Sequence, residues 1–178
     1  MVMNNIENSH DEYVNLAINT IETYIKEGRI LRVPDNLPPE MLSRKAGAFV
    51  SIHKNGNLRG CIGTILPTTG SVAEEIIQNA INASTRDPRF PAITKNELSE
   101  LEVSVDVLGE PEDIDSPDEL DVKRYGVIVT KGFRRGLLLP DLEGVDTVED
   151  QIAISKMKAG IGADEEVSLQ RFEVIRHT

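Results

Sequence analysis

Within the stretch NGNLRGCIGT (55–64) stand the chain's one cysteine, Cys61, an arginine two residues before it, Arg59, and two glycines, Gly60 and Gly63. A neighbouring arginine favours thiolate over thiol and lowers a reference pKa of about 8.5 toward neutrality. Side-chain-free glycines let a ligand approach the backbone amides beside the sulfur. Asp87 and Arg89 in DPRFP (87–91), Arg135 in RRGLLLP (134–140) and Lys158 in KAGI (158–161) add charged groups suited to an anion. If these segments converge in a cleft, they form an anion-binding pocket around a nucleophile. An opposite reading has equal physical footing. Cysteine behaves as a small apolar residue, and glycines let sheets and helices pack closely. In that reading Asp87 caps backbone amides, Arg89 pairs internally and Phe90 plugs the core. Both readings stand on the sequence.

Other chemistry has less support. His53 is a candidate general base, but a lone strand-end histidine beside Lys54 also reads as simply exposed. His10, His53 and His177 are scattered and no second cysteine exists, so no metal site is expected. Neither GxGxxG nor GxxxxGK[ST] occurs, so no nucleotide-phosphate loop is expected, and no cofactor follows.

The direction in which Cys61 points depends on hairpin register. AFVSIHK (48–54) and LRGCIGT (58–64) read as two strands around Asn55-Gly56. A two-residue turn puts Cys61 on a face with Val50 and Ile52. A three-residue loop, Lys54 to Gly56, groups Val50, Ile52, Leu58 and Ile62 against Ser51, His53, Arg59 and Cys61. The second register segregates polar from apolar better and is the expected one.

Elements on either side follow from caps and periodicity. Ser9 and Glu12 read as a capping box opening a helix with Tyr13, Leu16, Ala17, Ile21, Tyr24 and Ile25, stopped by Gly28. One helical turn is expected at 39–43. Ser71 and Glu74 open a helix burying Val72, Ala73, Ile76, Ile77, Ala80 and Ile81, which Pro88 and Pro91 prevent from continuing. LEVSVDVL (101–108) alternates like a half-buried strand. EPEDIDSPDELD (110–121) carries seven acidic residues and reads as a solvated connector with a short capped helix at Ser116–Glu119. GVIVTK (126–131) and FRRGLLLP (133–140) make a second hairpin. Thr147 caps a helix with Val148, Ile152, Ala153 and Met157 on its apolar side, and SLQRFEVIRH (168–177) closes the chain as a strand. Hairpin, helix, strand thus occurs twice, with Gly47-Ala-Phe-Val-Ser through Arg59-Gly60 paralleling Gly126-Val-Ile-Val-Thr through Arg135-Gly136. This order suggests a duplicated unit, with Leu137 at the counterpart of Cys61. The helices near Ser9, Ser71 and Thr147 are expected to pack on antiparallel sheet faces.

The bulk numbers bound the partners. With 178 residues and 39% hydrophobic content, the chain suits one α+β domain, expected over 9–178 with 1–8 disordered or extended. A formal charge of −11 repels phosphate backbones and anionic lipid, so nucleic-acid and membrane partners are not expected. No apolar stretch approaches the ~20 residues of a membrane span, and the N-terminus lacks a leader pattern. A single cysteine suits a reducing, cytoplasmic setting.

LRGCIG, DPRFP, RRGLLLP and KAGI, in this order and spacing, resemble the AMMECR domain family, and the tail from RRGLLLPDLEGVDT to RFEVIRH is most similar to its microbial AmmeMemoRadiSam system A branch. Pro91-Ala92 departs from a frequent Pro-Pro pair. The resemblance implies an α+β fold of two unequal lobes with mostly antiparallel sheets and a cleft between them. It also implies association with a Memo-type protein and a radical SAM protein, either as an accessory or substrate-presenting component or as a thiol enzyme using Cys61 on a small anion. It supplies no substrate and no oligomeric state.

Overall fold

The structure, a computed structural model, describes residues 11–178. It consists of helices and antiparallel strands that divide into two compact units, one formed by the chain up to Val107 with Arg176–Thr178, the other by Leu108–Ile175. Ser9, expected as an N-cap, lies outside the described residues. Helix α1 (Glu12–Glu27) is capped instead by Asp11, whose carboxylate accepts from the Val14 amide at 3.1 Å, and it ends at left-handed Gly28.

In the first unit, β1 (Ala48–Lys54) lies between β2 (Asn57–Gly63) and β3 (Leu101–Leu108), antiparallel to both. Helix α3 (Val72–Thr85), preceded by the one-turn α2 (Pro39–Ser43), covers one face of β1 and β2. The side chains of Val50, Ile52, Val103 and Val105 meet Ile76 and Ala80 there in the core. Gly60 allows the close approach, because a Cβ on it would lie 2.1 Å from the Ala83 carbonyl oxygen. Helix α1 packs chiefly along α3 rather than on the sheet. A 3-10 helix at Lys95–Glu100 was not expected from the sequence.

In the second unit, β5 (Tyr125–Lys131) pairs with β6 (Arg134–Leu138) and with β7 (Ser168–His177), whose last residues belong to the first unit. The acidic connector is more ordered than its charge suggests. Residues Glu112–Ile114 form β4 against β7, and Ser116 caps a 3-10 turn at Pro117–Glu119. Helix α4 (Val148–Lys158) departs from its expected stripe. Its fully buried side chains are Gln151 and Ser155, while Met157 is 71% exposed. The reason is again close packing, since a Cβ on Gly136 would lie 2.0 Å from the Ser155 carbonyl oxygen. At the point of closest approach the helix presents Ser155, with Gln151 one turn before it bonding the Tyr125 carbonyl.

The two units repeat one internal plan, which their shared contacts define more sharply than their sequences. Gly60 opposite Ile52 faces Ala83 of α3, and Gly136 opposite Val129 faces Ser155 of α4. Four residues before those helix positions, Asn79 donates to the Ala48 carbonyl and Gln151 to the Tyr125 carbonyl, both at 2.9 Å. Both amides also leave a buried oxygen without a partner among the described residues. These contacts make Phe49, not Gly47, the counterpart of Gly126.

Candidate functional site

The site is built on the face of β1–β3 that α3 leaves open. Asn55 and Gly56 both have positive φ, 51° and 78°, and form a two-residue turn, so Lys54 pairs with Asn57 and His53 with Leu58. That turn alone would send Cys61 to the core. A bulge opposite Ile52–His53 takes up one residue, and beyond it Val50 pairs with Ile62 and Ser51 with Cys61. The expected face for Cys61, beside Ser51, is therefore correct, but the three-residue loop is not. Leu58 shifts away from the apolar set and is exposed, and Arg59 sits at the bulge.

Cross-strand pairing then sets a row of small polar groups. Cys61 faces Ser51 across β2–β1, and Ser51 faces Ser104 across β1–β3. The Ser51 hydroxyl and the Cys61 sulfur are 3.3 Å apart. In the next rows lie Phe49 with Asp106 and His53 with Glu102. Asp106 is 2% exposed and accepts from Arg176 Nε at 2.7 Å. His177 follows on the same strand, bonded to Asp11 and stacked on Tyr13 with ring centroids 3.9 Å apart. A hollow of about 460 Å³ bordered by His53, Ser104 and Thr178 opens at this side of the sheet.

DPRFP closes the other edge. Pro88 prevents α3 from continuing, and Asp87, only 4% exposed, turns its carboxylate to β2. One oxygen accepts from the Cys61 amide at 3.0 Å and from Arg89 Nη2 at 2.8 Å; the other accepts from the Arg89 amide and Nε, each at 3.0 Å. Arg89 also donates to the Cys61 carbonyl at 3.3 Å. The Arg89 hydrogen bond, outweighing burial, holds the Asp87 carboxyl at about 2. Cys61, Asp87 and Arg89 are thus together, as one expectation had it.

Arg59 is not with them. Its guanidinium holds Glu97 through Nε at 3.0 Å and Nη2 at 3.2 Å, and donates to the Pro91 carbonyl at 2.7 Å. It locks the segment after DPRF to the hairpin. The glycines are filled as well: Gly60 by α3, and Gly63 by the Phe49 ring, 2.2 Å from where a Cβ would lie. Neither leaves open space where a side chain would stand. Arg135 and Lys158 belong to the second unit, where Arg135 donates to Gln170 at 3.3 Å and Lys158 to the Leu137 carbonyl at 3.1 Å.

The expected activation of the thiol is reversed. Burial pushes Cys61 up, outweighing the lowering by Ser51 and Arg89, and Asp106 and Asp87 push it up further. Arg89 still lowers the thiol, but the Asp87 carboxylate paired with it offsets part of that pull, and burial outweighs what is left. At neutral pH the group is an S–H, able to bond or line a site. The sequence reading placed Ser51 on the face of Cys61, but Ser104 and Asp106 escaped it although each sits at an outward position of an alternating strand. The signal that could have found them was the cross-strand register. Among the described residues no cluster of three His, Cys, Asp or Glu side chains could hold a metal ion, and no helix is long and apolar enough to cross a membrane.

The AMMECR1 family model matches residues 14–177. The chain belongs to the AMMECR1 family. A relative from Thermotoga maritima is 53% identical over 167 residues, covering 93% of this chain and 96% of that one. A Clostridium acetobutylicum protein is 51% identical over 94% of this AMMECR1-family chain, which spans 36% of that longer relative. The crystal structure of an uncharacterised protein from Pyrococcus horikoshii matches with a TM-score of 0.85 at 35% identity, covering 92% of this chain and 88% of that one.

Proposed function

We propose that the chain is a binding, substrate-presenting component of a modification system, acting with a Memo-type protein and a radical SAM protein. Its polar face of Cys61, Ser51 and Ser104 receives a small polar group. One observation carries this reading. The second unit serves as an internal control, because its counterparts of Ser51, Cys61 and Ser104 are Ile128, Leu137 and Gln170. The same hairpin, helix and strand form there with two apolar side chains, so the fold does not require the thiol and hydroxyl. Their retention in an S–H and O–H pair suits recognition better than covalent attack. A relative in which this chain accounts for 36% of the length supports a domain that works beside a further protein portion.

The test is alkylation of Cys61 by iodoacetamide across pH, with co-purification of tagged chain and the two named partners. A presenting component alkylates with a midpoint above the ordinary thiol value, and Cys61→Ser still brings the partners down. A midpoint near neutrality, or a partner set unchanged when the tagged chain is omitted, refutes the reading. The near-neutral midpoint would select the thiol enzyme acting on a small anion.

A further inference from the structure

A second concavity lies in the same unit, away from the polar face. It is a groove of about 600 Å³ between α3 and the chain that follows α1. Its floor is apolar, from Tyr24, Ile77 and Ile81. Its other wall is residues 30–33, where exposed Ile30 and Arg32 alternate with half-buried Leu31 and Val33 as along a strand. These residues belong to no helix or strand, and none of their backbone groups bonds another described backbone group. Amides and carbonyls left over in extended chain are a template for an added strand.

The rim supplies the second part of the argument. In a chain of net charge −11, two arginines border this groove. Arg32 has no partner among the described residues, and Arg86 reaches only its own helix neighbour Asn82 at 3.4 Å. Among the described residues the one carboxylate at the rim is Glu74, held by the Gly70 amide at 2.8 Å. Ile30 is 62% exposed over the apolar floor. The size lies within the range of natural ligand pockets, roughly 300–1,000 Å³. We propose that this groove takes an extended segment of a partner protein that pairs with residues 30–33, lays aliphatic side chains on Ile77 and Ile81, and sets a carboxylate against Arg32 and Arg86. The inference is independent of the polar face, so Cys61→Ala leaves it intact.

The experiment uses the full chain and a fluorescein-labelled peptide in which valines alternate with glutamates, read by fluorescence polarisation. The peptide binds, and Arg32→Glu with Arg86→Glu weakens it about tenfold or more while an equivalent valine–lysine peptide gains. Ile30→Glu also weakens it. All three positions are exposed, so thermal melts of the variants stay close to the parent. Methylating alternate peptide amides on the pairing edge abolishes binding, because the added strand loses its donors. Absent binding, equal binding of the lysine peptide, or indifference to backbone methylation overturns the proposal. So does binding of decanoate without the peptide, which would make the groove an acid pocket. Concentration-dependent dimerisation that Ile30→Glu removes would assign the groove to a second copy and overturn it equally.

Discussion

Asp87→Asn tests whether the DPRFP segment is a charge-locked clasp on the Cys61 strand. The substitution keeps shape and removes charge. In the native chain four donors converge on the carboxylate, two on each oxygen, at 2.8–3.0 Å. An asparagine can keep one oxygen's pair, but its NH2 then faces donors. Breaking a buried ion pair costs roughly 3–5 kcal/mol. Arg89 is 56% exposed and regains water, so the cost falls toward the lower bound, about 2–3 kcal/mol. The titration offers an independent route. Holding the carboxyl at about 2 instead of 3.8 corresponds to about 2.5 kcal/mol at neutral pH. That stabilisation is whole above the unfolded value and is lost as pH falls through the folded one. Urea unfolding of parent and variant should therefore differ by about 2–3 kcal/mol at pH 7, and the gap should narrow by roughly half at pH 3. A gap under about 0.5 kcal/mol, or one constant across that window, would refute the clasp.

Arg59→Ala should destabilise the fold by about 2–3 kcal/mol, through the loss of Glu97 and the Pro91 carbonyl, and leave the alkylation midpoint of Cys61 unmoved. Arg89→Ala should instead raise that midpoint, because its charge is one of the forces lowering it. Gly60→Ala and Gly136→Ala should each cost at least about 2–3 kcal/mol in denaturant unfolding, since both new Cβ atoms meet helix carbonyl oxygens. Gly56→Ala meets no atom and should cost only about 1 kcal/mol for its positive φ. Glu75→Gln should cost about 2–3 kcal/mol and speed amide exchange in residues 64–70. The fully buried Glu75 carboxylate accepts from the Thr64 hydroxyl and the Thr69 amide, each at 2.6 Å.

Much of the architecture was legible because it depends on local signals. Gly28 stops α1, Ser71 and Thr147 cap α3 and α4, and apolar-polar alternation in the sequence marks β3. What stayed hidden depends on pairing. The bulge beside Arg59 changes which residue faces which, and no composition of LRGCIG announces it. The fate of a charge is also non-local, since Glu97, thirty-eight residues away, decides that Arg59 is a brace rather than a ligand for an anion. For α4, periodicity marked Val148 and Ile152, which do pack on the core, but also Ala153 and Met157, which are exposed, while the helix buries Gln151 and Ser155. A carbonyl that must be capped and a glycine that must be approached outweighed the apolar pattern there.

The repeated plan separates scaffold from function more sharply than either unit could alone. Gly60 and Gly136, like Asn79 and Gln151, perform matching structural tasks in both units and need no ligand to explain them. Subtracting those shared tasks leaves Ser51, Cys61 and Ser104 in one unit, against Ile128, Leu137 and Gln170 in the other. The subtraction has a direct consequence. Replacing Ser51 and Cys61 together by isoleucine and leucine imports side chains that the equivalent positions already accept. The double variant should stay folded within about 1–3 kcal/mol, the range for overpacking, yet lose whatever the polar face receives. A variant that unfolds outright would mean that the thiol and hydroxyl are part of the scaffold after all, and the polar face would no longer mark a binding site.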